Sequence, residues 1–170
     1  MHAALEVGDE LLAKREDKCV DVARAARSLG RGALPSPAMA HEKQVEIRWR
    51  DVDGYMHVNN AVYATYLEEC RDEWLTGALG GEGEWDFVLA RVAIDFRREL
   101  RLEDEAVVVS CSLERIGNAS VVLREQIRTR DGELAAESEA VLVARDRERG
   151  RSRPLTEAER AAFERERSAS

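Results

Sequence analysis

Residues 48–71 read RWRDVDGYMHVNNAVYATYLEECR, and the change of pattern along them decides the fold. Apolar residues recur at Val62, Tyr63, Tyr66, Leu67, Cys70 and, just beyond, Trp74. Gaps of three and four place them on one face of a helix of about four turns. Asn59 or Asn60 supplies the N-cap, because a short side-chain oxygen accepts from the unpaired N–H groups of a first turn. Gly77, Gly80, Gly81 and Gly83 end the element in a loop. Upstream, Val45, Ile47 and Trp49 alternate with Glu46, Arg48 and Arg50, which predicts a half-buried strand, joined to the helix by a turn at residues 53–56.

A helix with one apolar face must bury it against something, and the rest of the chain supplies sheet. Strands are predicted over residues 87–96, 107–113, 121–127 and 134–144, with turns at residues 103–105, Gly117-Asn118 and Asp131-Gly132. The order is strand, long helix, then four strands, which an antiparallel sheet with the helix laid across it satisfies. Thr156 and Glu159 form a capping box ahead of a short C-terminal helix or tail over residues 156–170. Residues 1–42 differ in character: a possible helix from Leu5 to Leu29 gives way to a linker containing Gly30, Gly32, Pro35 and Pro37. Met39 is a candidate start site, and the alternative is a helical or disordered N-terminal leader.

Composition narrows the function. The chain has 170 residues, 44% hydrophobic and 35% charged, which is globular and long enough to bury a core without staples. Its net charge of −8 argues against binding a nucleic-acid backbone, where phosphate neutralisation supplies most of the affinity. The acidity is concentrated in residues 43–144, which carry 12 cations against 21 anions. An anionic ligand must therefore be met by locally placed arginines rather than a general positive field. No apolar run approaches the ~20 residues of a membrane span. The first thirty residues lack the apolar centre of an export signal, so a cytoplasmic location is expected. Cys19, Cys70 and Cys111 are far apart, and His2, His41 and His57 are scattered, so reduced thiols and no metal site are expected.

The chemistry is concentrated where the strand meets the helix. Asp51, Asp53, His57, Asn59 and Asn60 fall within ten positions. Unpaired N–H groups at a helix start, with the helix dipole behind them, can hold a developing oxyanion. The alternative is that Asp53 and the asparagines only cap the helix and tie down the turn, which accounts for one or two of the five.

The same stretch resembles the hotdog-fold thioesterases, particularly the 4-hydroxybenzoyl-CoA thioesterase-like branch with its bacterial acyl-CoA thioesterases. The branch's motif D-x-D-x-x-x-H-V-N-N-x-x-Y is filled by Asp51, Asp53, His57, Val58, Asn59, Asn60 and Tyr63. Residues 90–109 (ARVAIDFRRELRLEDEAVVV) resemble its second strand, charged turn and third strand. Residues 115–120 (RIGNAS) resemble the turn before the fourth strand, and residues 136–146 (AESEAVLVARD) the fifth. The resemblance implies an α+β hotdog fold over residues 43–155, a five- to six-stranded antiparallel sheet wrapped around one long helix. It also implies a homodimer or homotetramer with substrate at the subunit interface.

The resemblance further implies hydrolysis of a fatty or aromatic acyl-CoA, with Asp53 as nucleophile or general base. Backbone N–H groups near His57 and Val58 would polarise the carbonyl, and His57 and Asn59 would hydrogen-bond the carboxylate or the substrate. Val58, Asn60, Tyr63, Arg91, Arg115 and Ser120 are the candidate substrate-binding residues. No metal and no cofactor are implied, coenzyme A being part of the substrate. Acyl-ACP is the alternative carrier, and a non-catalytic acyl-CoA-binding module the alternative class. Tyr55 stands where some acyl-ACP thioesterase relatives carry Asn, Met56 where bacterial relatives often have Gly, and Asn60 where another branch has His. Glu68 and Glu69 are further carboxylates that could approach the site, against a solvated helix face. Cys70 falls on the apolar face and is expected in the core. Arg145, Arg147, Arg149, Arg151 and Arg153 would present five guanidinium groups on one side if extended, against a solvated tail.

Overall fold

A computed structural model describes residues 40–81 and 85–169. The leader expected over residues 1–42 lies almost wholly outside the described residues. Among these, β1 (His41–Glu46) is followed by α1 (Asn60–Ala78), then β2 (Phe87–Phe96), β3 (Ala106–Ile116), β4 (Ser120–Thr129) and β5 (Leu134–Asp146). A two-residue β6 (Arg151–Ser152) and α2 (Glu157–Ala169) complete the chain. The sheet runs β1-β3-β4-β5-β2, antiparallel throughout, with β6 on β5. This is the hotdog arrangement, a curled sheet around one long helix.

The burial pattern follows from alternation. Val107, Val109, Cys111 and Leu113 of β3, Val121, Leu123 and Ile127 of β4, and Ala136, Ala140, Leu142 and Ala144 of β5 point inward. They meet Tyr63, Tyr66, Leu67, Cys70, Trp74 and Leu75 of α1, so the three-and-four spacing is indeed the buried face. The C-terminal helix closes one end of this core. Phe163 is fully buried, stacks on Trp74 at 5.8 Å and meets Phe87 edge-on at 5.7 Å. Gly132 adopts φ 86°, as the Asp131-Gly132 hairpin requires, and its N–H donates to the Thr129 carbonyl at 2.9 Å.

One expectation fails at β1. The alternation of Val45, Ile47 and Trp49 does not extend to Trp49, which is 71% exposed in a single 3₁₀ turn, Trp49–Asp51. The Asp51 carboxylate accepts from the Arg48 N–H at 2.9 Å and from Arg48 Nε at 3.1 Å, bending the backbone out of the strand. That bend brings the Asp53 segment against the start of α1.

β2 stands apart from the other long strands. It pairs only with β5, and Val88, Leu89, Val92 and Phe96 on it are exposed. An apolar edge of ten residues with unpaired backbone is a template for another strand.

Candidate active site

Asp51 and Asp53, two residues apart, are sent to different environments. Asp51 is buried, and its Oδ2 accepts from Tyr66 Oη at 2.8 Å as well as from Arg48. Burial pushes its carboxyl up, but the bonds from the Arg48 N–H, the Tyr66 hydroxyl and the Arg48 guanidinium outweigh it and hold the group below its ordinary value. Asp53 is half-buried. Its Oδ1 accepts only from the Tyr55 N–H at 2.8 Å, its N–H donates to the His57 carbonyl at 2.9 Å, and its carbonyl accepts from Met56 N–H at 3.0 Å. Those bonds close a tight turn in which Met56 takes φ 64°, the left-handed region that suits glycine.

Asp53 opens on a cavity of about 590 Å³ lined by Tyr55, His57, Val58, Asn59, Asn60, Tyr63, Phe96, Arg97, Arg98 and Glu99. The structure therefore gathers Asp53, His57, Val58, Asn59, Asn60 and Tyr63 into one place. Their parts differ. Asn59 is the N-cap of α1, its side chain accepting from the Ala61 N–H at 2.9 Å. The Val58 side chain is buried, and its N–H donates to the Leu100 carbonyl at 2.8 Å, so it is not free to polarise a substrate. Among the described residues the N–H groups of His57 and Asn60 have no such acceptor. The Tyr63 ring is buried edge-on to Phe96 at 5.0 Å. Its hydroxyl donates to the Arg98 carbonyl at 3.2 Å and accepts from the Leu100 N–H at 2.9 Å. It pins the segment after β2 against the helix.

Sequence reading missed Glu99, whose Oε2 lies 3.1 Å from His57 Nε2. No helical or strand periodicity marks it, since it sits in the irregular segment between β2 and the next 3₁₀ turn.

Arg91, Arg115 and Ser120 lie elsewhere. Arg91 pairs with Glu139 across β2 and β5. Arg115 and Ser120 lie near the β3–β4 turn, where Ser120 is in register with Val143; Phe96, at the cavity, is in register with Ala136. Those ends of β5 are roughly 20 Å apart at the rise of a strand. The arginine run is also redistributed. β5 ends at Asp146 and the chain folds back into β6, so the five guanidinium groups do not line one extended face. Arg147 pairs with Asp86, Arg149 with Asp146 at 3.8 Å, and Arg153 with Glu159 at 2.7 Å. Glu69 faces Arg48 at 3.5 Å, and neither it nor Glu68 lines the cavity. Cys70 is buried in the core, its Sγ donating to the Val109 carbonyl at 3.4 Å. Among the described residues no three His, Cys, Asp or Glu side chains converge to hold a metal ion, and no helix is long and apolar enough to cross a membrane.

Comparison with known proteins agrees with this geometry. Residues 47–163 match the family model of the thioesterase-like superfamily. The chain is 29% identical over 112 residues to the long-chain acyl-CoA thioesterase FadM of Escherichia coli (strain K12), covering 62% of this chain and 83% of that one. Among solved structures, a thioesterase of Thermus thermophilus complexed with coenzyme A and Zn superposes with a TM-score of 0.67 at 30% identity, covering 75% of this chain and 93% of the other. The protein SAV2348 of Staphylococcus aureus, in complex with CoA, superposes at 0.71 with 13% identity over 77% and 85% of the two chains, a likeness of fold alone.

Proposed function

This chain belongs to the thioesterase-like superfamily and is a thioester hydrolase, and we propose that its substrates are acyl-CoA thioesters, cleaved at Asp53. The observation that carries the reading is the contrast within the D-x-D pair. Asp51 is saturated and buried, whereas Asp53 has one neutral donor and faces the cavity. A carboxylate in that position can take a proton from water or attack the thioester carbonyl carbon itself. In the first route water oxygen bonds to the carbonyl carbon and the carbon–sulfur bond breaks, with the thiolate leaving. In the second an Asp53 oxygen bonds to the carbonyl carbon and the carbon–sulfur bond breaks with the thiolate leaving. Water then opens the acyl–Asp53 anhydride to the free acid and the Asp53 carboxylate. The N–H groups of His57 and Asn60, without an acceptor among the described residues, are the candidates to receive the carbonyl oxygen in either route. The likeness to FadM supports a fatty acyl group, an aromatic one being the alternative.

The exposed β2 edge supports a homodimer in which two β2 strands pair about a two-fold axis. Antiparallel pairing sets the start of one β2 beside the end of the other. The arginine-bearing end of one subunit, with Arg115, Arg145 and Arg151, then approaches the other subunit's cavity. This adds cations for a polyanionic ligand to Arg97 and Arg98, which line the cavity but already pair with Glu137 and Asp104. Two buried free thiols, Cys70 and Cys111, suit a reducing cytoplasm.

A thiol-release assay over acyl-CoA chain lengths and an aryl-CoA tests the reading, with the protein sized by light scattering beforehand. Asp53→Asn should keep the thermal midpoint and lower kcat by about 10²–10⁴-fold. Near-normal hydrolysis by that variant removes Asp53 from the reaction. A single-chain mass removes the paired edge.

A further inference from the structure

Glu99 lies where the segment after β2 is bonded to the start of α1. The Arg98 carbonyl accepts from the Tyr63 hydroxyl at 3.2 Å, and the Leu100 N–H donates to that hydroxyl at 2.9 Å, so one buried phenol holds the chain on both sides of it. The Leu100 carbonyl in turn accepts from Val58 N–H at 2.8 Å, which ties the Glu99 segment directly to the residue after His57. Further along, Arg98 is clamped to Asp104 by bonds of 3.0 and 3.2 Å, and Leu100 is fully buried. The backbone is thus fixed where Glu99 faces His57.

The two carboxylate oxygens divide their partners. Oε1 accepts from Arg101 Nε at 2.9 Å, and Oε2 lies 3.1 Å from His57 Nε2. Arg101 Nη2, a donor, also stands 3.4 Å from Nε2, but it already donates to Glu99 Oε1. The nearer, charged carboxylate oxygen is therefore the stronger partner and favours the proton on Nε2. Nδ1 is then the ring nitrogen left to meet a ligand in the cavity that His57 lines.

The geometry points to Glu99 as the positioning residue of the site: through Nε2 it fixes the orientation and tautomer of His57, and Arg101 fixes Glu99. It rests on the acyl-CoA hydrolase reading, since only turnover gives the orientation of His57 a consequence. Glu99 acts through His57 and is not itself required to touch the substrate. Orienting groups of this kind matter because an imidazole presenting the wrong nitrogen is lost to the reaction even when its position is right.

The test is a double-mutant cycle on the full chain with Glu99→Ala, His57→Ala and the pair, assayed on the best acyl-CoA of the panel. Glu99→Ala should lower kcat by about 10²-fold, the low end for a group acting on proton transfer, with KM within about twofold. The double variant should be no slower than His57→Ala alone, because Glu99 has no route to the chemistry except through that ring. Glu99→Gln keeps an acceptor oxygen at the same reach and should recover most of the loss. In parallel, ¹⁵N shifts of the His57 ring, recorded on the neutral imidazole, should show the Nε2–H tautomer in the parent and move toward a tautomer mixture in Glu99→Ala. Unchanged kcat in Glu99→Ala, additive losses in the double variant, or an Nδ1–H tautomer in the parent would each overturn the proposal. A parent that hydrolyses no acyl-CoA breaks the functional reading instead, and the ring shifts still decide whether Glu99 holds His57.

Discussion

Two polar clusters lie against α1, and they are built to opposite rules. The inner one sits beneath the helix, where Arg71 Nε donates to Glu125 Oε1 at 2.8 Å and Ser138 Oγ donates to Glu125 Oε2 at 2.9 Å, all three side chains buried. Asp51 with Tyr66 and Arg48 is its counterpart at the helix start. The outer cluster, Asp53 with His57 and Glu99, is half-exposed, and Asp53 keeps most of its accepting capacity unused. A buried ion must have its partners, because an unpaired charge out of water is expensive. A reacting carboxylate needs the reverse, a partly empty coordination that a substrate or water can enter. The D-x-D pair shows both requirements met within three residues, by a backbone turn that buries the first acid and exposes the second.

The widest separation of the two clusters comes from removing Glu125. Glu125→Ala leaves the Arg71 guanidinium buried and uncompensated, which costs about 3–5 kcal/mol of stability. The midpoint of thermal unfolding should fall by about 2–4 °C for each kcal/mol lost. Since neither residue lines the cavity, kcat per folded molecule should stay at the parent value. Replacing both members by apolar residues, Arg71→Met with Glu125→Leu, should restore most of the stability. A loss below about 1 kcal/mol in Glu125→Ala would show that the inner cluster is not a paired buried charge, and the comparison would collapse.

How far the two clusters could be read in advance differs for the same reason. The outer one was legible because its residues crowd a single short stretch: Asp53, His57 and Asn59 are neighbours in sequence before they are neighbours in space. Glu99 was not, since it reaches His57 across 42 positions through an irregular segment held by Tyr63. The helix announced itself by period and the four long strands as apolar runs between turn signals, with β2 predicted to its observed bounds. Trp49 misled because alternation cannot sense a carboxylate two residues on that captures the Arg48 backbone. The inner cluster left a trace that reading for apolar alternation passes over. Glu125 occupies an inward position in the series Val121, Leu123, Glu125, Ile127, and Arg71 adjoins Leu67, Cys70 and Trp74 on the buried helix face. An acid and a base at two inward positions can only be tolerated together.

A smaller break is available at the helix start. Tyr66→Phe removes one hydroxyl and leaves the Asp51 carboxylate buried with Arg48 as its remaining partner. A hydrogen bond to a charged acceptor is worth about 1.5–3 kcal/mol, so the variant should lose stability in that range by urea unfolding. Hydrolysis should be nearly unchanged, because Tyr66 is buried on the core side and does not line the cavity. A variant that unfolds normally yet loses most of its turnover would join the two clusters functionally and contradict their separation.

The smallest effect, and the most specific, is the pH dependence of that difference. Asp51 has a folded-state value held below its ordinary one. Between the two values the unfolded chain binds more protons than the folded chain, so stability rises with pH in that interval. The stabilisation from Asp51 is therefore complete above the unfolded carboxylate value, near about 3.9, and is lost as pH falls through the lower folded value. Asp104 and Glu159 are also held low, by Arg98 and by Arg153 despite their burial, and Glu73 by Lys43, so the parent's own acid limb reports all four. Subtracting the Tyr66→Phe curve cancels the other three. Without the phenol donor the Asp51 value rises toward normal, and the variant has less to lose on acidification. The stability gap between parent and variant should be constant from pH 7 to about 5 and narrow below about 4, where Asp51 protonates in both. Unfolding midpoints in urea, taken in steps down to the lowest pH at which the parent still folds, measure it. A gap that stays level to that limit would mean that the hydroxyl acts by packing rather than by holding a charge, and the inner cluster would lose its electrostatic half.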